Sequence, residues 1–135
     1  MPTFEFNRLV RGKLPEVYAE MGQKATYKEL SQTELLEALR EKVIEELREV
    51  PLGADASAEE QEGELADVEQ AWIDFKTTVG ILQDRIESIR QEKLQKKGSF
   101  LDGRYVIELE LSDDDEWVDY YRRDPERYPE ADSKK

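Results

Sequence analysis

The sequence predicts an all-α fold: a helical bundle of three long helices plus a short N-terminal helix, with a small β-ribbon, completed by dimerisation. Three observations carry this. Apolar residues recur at steps of three and four along Leu36–Val50 and again along Leu65–Val79, the period of one helix face. A capping pattern opens each stretch, "SQTE" at Ser31 and "SAEE" at Ser57. Hydrophobic residues are only 38% of 135 and charged residues 39%. That suits one domain with a thin core, which a second copy would complete.

The elements follow in chain order. "FEFNRLVRGKLPE" begins by alternating and then turns basic, so Phe4, Phe6, Leu9 and Val10 read as an extended arm. Gly12 breaks it, and Pro15 suits the first turn of a short helix carrying Val17, Tyr18 and Met21, which Gly22 stops. "QKATYKEL" is a connector. The first long helix runs from Ser31, with Leu36, Leu39, Val43, Leu47 and Val50 as its stripe, and ends at Pro51 and Gly53. The second runs from Ser57 to Gly80, with Leu65, Val68, Ala71, Trp72, Phe75 and Val79 as its stripe. The third holds Ile81, Leu82, Ile86, Ile89 and Leu94 and ends at Gly98 after a basic last turn. "RYVIELEL" alternates and is β-branched, so it reads as a strand that "TFEFNRLV" would pair with. Residues 1–111 form the helical domain. Residues 112–135 are an acidic tail whose Trp117, Tyr120 and Tyr121 dock on the body and whose last residues are disordered.

Composition excludes several chemistries. There is no histidine and no cysteine, so Ser-His, Cys-His and thiol catalysis, thiolate zinc sites and disulfides are ruled out. A di-iron site built on Glu-x-x-His fails for the same reason. The net charge of −13 repels polyphosphate, so no nucleic-acid polymer is expected as a partner. A protein this acidic handles phosphates through a metal, and its carboxylates suit Mg²⁺, Mn²⁺ or Ca²⁺. No apolar run spans a membrane and no secretory segment opens the chain, so the expected location is cytoplasmic, with no membrane partner.

Two acidic clusters stand out. "KVIEELREV" holds Glu45, Glu46 and Glu49, and "EGELADVEQ" holds Glu64 and Asp67. At roughly 100° per residue, Glu46 and Glu64 fall on the edges of the apolar stripes rather than opposite them. If the two helices lie antiparallel, four or five carboxylates converge, and a divalent cation resolves their repulsion. The alternative is a solvated acidic face.

Glu45-Glu46-x-x-Glu49, a helix break, then Glu64-x-x-Asp67 resembles the EExxE…ExxD signature of the all-alpha NTP pyrophosphatase superfamily, which includes MazG-like enzymes and phosphoribosyl-ATP pyrophosphohydrolase. "NRLVRGKLPE" resembles the "NKLVRDKIPE" of a house-cleaning MazG-like branch, and "EKLQKKGSF" resembles its "K…RGGF". The resemblance implies a helical homodimer or dimer of dimers that uses Mg²⁺, or Mn²⁺, to hydrolyse a nucleoside triphosphate between the α and β phosphates. By that resemblance Glu46, Glu49, Glu64 and Asp67 are the metal ligands. Glu45 and Glu46 are the catalytic carboxylates, Glu45 binding a further metal or orienting the attacking water.

The leaving pyrophosphate needs cations. Arg11, Lys13, Lys42, Lys93 and Lys97 are the candidates, with Lys96 beside them. Each has a plainer role open to it. Lys42 pairs along its own helix, Lys96 and Lys97 cap a helix end, and the arm neutralises nearby acid. Trp72 is expected in the core, with stacking on a base as the alternative. The sequence departs from the branch at Gly12, where an aspartate stands, and at Ser99, where a glycine stands. A non-enzymatic nucleotide- or metal-binding helical interaction protein is the competing reading.

Overall fold

The computed structural model describes residues 1–131. Five helices make up the regular structure of those residues: α1 Leu14–Glu20, α2 Gln32–Arg48, α3 Ala58–Val79, α4 Gln83–Lys97 and α5 Trp117–Arg122. The chain divides into two compact units, Met1–Lys93 and a second beginning at Leu94.

Local chemistry sets the helix ends. Pro15 stands in the first turn of α1, where its missing N–H has no helical partner to lose. Ser31 caps α2 with both halves of a capping box: Ser31 Oγ accepts from the Glu34 N–H at 3.2 Å, and Glu34 Oε1 accepts from the Ser31 N–H at 3.1 Å. The Ser31 N–H, then the Ser31 side chain and the Lys28 charge, hold the Glu34 carboxyl below its ordinary range. At Ser57 only the first half forms, Oγ accepting from the Glu60 N–H at 3.1 Å. Gly80 ends α3 at φ +83°, a left-handed cap that a Cβ would strain.

In the first unit, α2 and α3 form the packed helix pair. Gln61 Nε2 donates to the Pro51 carbonyl at 3.0 Å, tying the loop to the first turns of α3. The core is thinner than the stripes suggest. Leu39 and Ala71, each 7% exposed, are the buried apolar residues. Leu36, Val43, Val50, Val68 and Phe75 are half-buried. Leu47 is 56% exposed, and Leu65 and Val79 are also exposed although the periodicity placed all three in the core. One helix pair has too little area to cover two full stripes. Ile81 and Leu82 precede α4 instead of joining it, and α4 buries none of its residues. An ion pair from Arg90 to Glu87 supports α4 from within, and holds the Glu87 carboxyl down to about 2.

No strand forms among the described residues, which corrects the expected β-ribbon: residues 104–110 are exposed and without regular structure. A two-stranded ribbon is marginal in water unless a further strand or helix covers one face. In the second unit, α5 gathers aromatic rings. Trp117 meets Tyr120 edge-on with centroids 5.2 Å apart, and Tyr121 meets Tyr128 at 4.9 Å. Arg122 clasps Glu130 through two hydrogen bonds of 2.8 and 3.1 Å. The expectation of disorder at the very end falls on residues 132–135, outside the described residues. Among the described residues no helix is long and apolar enough to cross a membrane.

Candidate metal centre

The acidic residues that the sequence singles out lie where α2 ends and α3 begins. Glu45 and Glu46 are in the last turn of α2, Glu49 is its C-cap, and Glu64 and Asp67 share one face of α3 a turn apart. Carboxylate oxygens of Glu46, Glu64 and Asp67 all lie within 4.8 Å of one another. Glu49 and Glu64 line, with Asp67, a depression of about 440 Å³ beside Pro51. Gly63 also lines it, and has no side chain to fill it. Glu59 and Glu60 add acid to its rim.

The cluster is short of positive charge. Glu64 Oε2 is buried and has no hydrogen-bond partner. The Glu49 carboxyl is pushed above its ordinary range, first by the charge of Glu46, then by some desolvation and by the charge of Glu64. Three cations reach the cluster. Lys42 Nζ lies 3.1 Å from Glu46 Oε1 and 3.5 Å from Glu45 Oε2, while the Glu46 side chain is only 12% exposed. Arg8 Nη1 lies 3.0 Å from Glu45 Oε1, and Arg11 Nη2 lies 2.6 Å from Asp67 Oδ1. The ion-paired cations are fewer than the carboxylates, so the cluster is net negative.

The candidate phosphate-binding cations divide. Lys42 and Arg11 meet the acidic cluster, each already paired with a carboxylate. Lys13 is the N-cap residue of α1, and neither it nor Lys93 makes an ion pair with a cluster carboxylate. Lys97 belongs to the second unit. Arg8 was not singled out by the sequence, although it sits in the same basic string as Arg11. Its signal was the spacing of three that lets one arm reach two helices.

Trp72 is not core in the single chain. It is 44% exposed, stacks on Phe75 with centroids 5.8 Å apart, and carries Lys76 Nζ 5.4 Å from its ring.

The donor set is oxygen alone, which fits a hard divalent cation. The buried, unpartnered Glu64 oxygen supplies the vacant acceptor such an ion needs. No family model matches the chain, and neither a curated protein nor a solved structure matches it.

Proposed function

We propose that the chain is a Mg²⁺-dependent nucleoside triphosphate pyrophosphohydrolase, adding water across the α–β anhydride to give a monophosphate and pyrophosphate. The observation that carries this is the Glu46, Glu64, Asp67 trio with its buried, unpartnered Glu64 oxygen. The resemblance of the two acidic motifs to the all-alpha NTP pyrophosphatase signature supports it.

Glu46, Glu64 and Asp67 would hold the ion, with Glu49 completing the set from the C-cap of α2. When bound, Mg²⁺ neutralises phosphate oxygens and makes a coordinated water more acidic. Glu45, anchored by Arg8 and Lys42, is set to orient the attacking water and accept its proton. Arg11 and Lys42, each paired with a cluster carboxylate, would meet the negative oxygens of the leaving pyrophosphate.

The reading includes a second copy of the chain, as a homodimer or dimer of dimers. Leu47, Leu65, Trp72, Ile73 and Val79 on α2 and α3 are all exposed, a large apolar area for a lone domain to leave in water.

The test is direct. The purified protein is incubated with Mg²⁺ and a panel of canonical and modified nucleoside triphosphates, and monophosphate plus pyrophosphate is assayed. Release from one or more substrates is the expected result. A folded, Mg²⁺-binding protein that releases none would favour a nucleotide- or metal-binding interaction protein.

A further inference from the structure

We infer that the N-terminal arm is a latch opened by a divalent cation: Arg11 pairs with Asp67 and leaves it when Asp67 ligates the ion. This rests on the reading of Glu46, Glu64 and Asp67 as metal ligands.

The arm spans the two acidic helices with two arginines. Arg8 reaches Glu45 on α2 at 3.0 Å, and Arg11 reaches Asp67 on α3 at 2.6 Å. Its path is defined. Asn7 takes a left-handed turn at φ +46°, which asparagine tolerates better than most side chains. Arg8 Nε donates back to the Phe6 carbonyl at 3.3 Å, and the Phe6 ring lies edge-on to Tyr18 of α1 with centroids 6.5 Å apart.

The two attachments differ in what metal would do to them. Asp67 belongs to the trio, and Glu45 does not. A cation on Asp67 would draw electron density from its carboxylate, weakening the acceptor that Arg11 uses, and would repel the guanidinium besides. The pair is exposed, 62% at Arg11 and 43% at Asp67, so water replaces its hydrogen bonds readily and little holds it closed. Arg8 stays on Glu45 as the pivot. Opening frees a planar guanidinium beside the metal, the donor geometry that suits a phosphate oxygen pair. The site would therefore release its anion-binding arginine from Asp67 only after the cation is in place.

Two measurements on the full chain test this. The first is Mn²⁺ binding by calorimetry for wild type, Arg11→Gln and Arg8→Gln. Removing a competitor of modest strength should tighten binding about two- to six-fold in Arg11→Gln, with a smaller change in Arg8→Gln. The second is the rate of tryptic cleavage at the Arg11–Gly12 bond with and without Mg²⁺, read by mass spectrometry against cleavage after Arg122 as reference. Mg²⁺ should accelerate the first and leave the second unchanged. Equal Mn²⁺ affinity in all three proteins, or cleavage at Arg11 that Mg²⁺ leaves unchanged or slows, would overturn the latch while leaving the metal centre standing. Absence of Mn²⁺ binding in every protein would overturn both.

Discussion

The Glu46 carboxylate pushes the Glu49 carboxyl above its ordinary range. Its charge is the largest influence on Glu49, ahead of desolvation and of the charge of Glu64. A carboxyl raised in the folded state contributes stability below its unfolded value and loses it as pH rises through the folded value. Glu49→Gln should therefore melt higher than wild type at neutral pH, and the two curves should converge below pH 4.5. Thermal melts from pH 4 to 8 read this, and Mg²⁺ should raise wild type toward the variant.

Acid acts in the opposite sense elsewhere. Glu34, held down by Ser31, and Glu87, held down to about 2 by Arg90, are lowered in the folded state. Their contributions are present above 4.5 and fade as pH falls through the lowered values. Stability should therefore decline on both sides of a mildly acidic maximum. Glu87→Gln should flatten the acid limb alone.

Lys42 is the cation on the least exposed carboxylate of the site. Lys42→Met would leave Glu46, 12% exposed, without its partner. Loss of a partner to a largely buried polar group costs about 1–3 kcal/mol. Urea denaturation should show that loss, and saturating Mg²⁺ should reduce it.

Asp67→Asn and Glu64→Gln each remove one anionic donor from the trio. Turnover should fall by roughly 100-fold or more, beyond the ~10–100-fold typical of residues that only support a ligand, with the circular dichroism of the helices unchanged. Wild-type turnover in either variant would show that the carboxylates are misassigned.

The apolar residues separate by role. Leu39→Ala should destabilise by about 2–5 kcal/mol, since Leu39 is 7% exposed. Trp72→Ser should change the sedimentation coefficient rather than the helix content, because its ring is half in water and the proposed second copy would cover it.

Local chemistry made much of the molecule legible. Ser31 and Ser57 cap their helices where the pattern placed them, Pro15 and Gly80 mark ends, and the all-helical class follows from a 3.6-residue period. Misreadings occurred where local signal had to stand in for packing. "RYVIELEL" has strand propensity but no covering face, and remains irregular. Leu47, Leu65 and Trp72 satisfy helical periodicity, yet are exposed, because one helix pair has too little area to cover two full stripes.

The sequence by itself determined the chemical vocabulary. Without histidine or cysteine, and with glutamates on the borders of two apolar stripes, it determined that any metal centre is built from carboxylates on two helices. Tertiary structure alone decided which carboxylates converge and which cations answer them. The 4.8 Å trio, the unpartnered Glu64 oxygen and the Arg11–Asp67 pair join residues up to 56 positions apart. Periodicity constrains the face of one helix. Distances between two helices and an arm depend on how their faces pack.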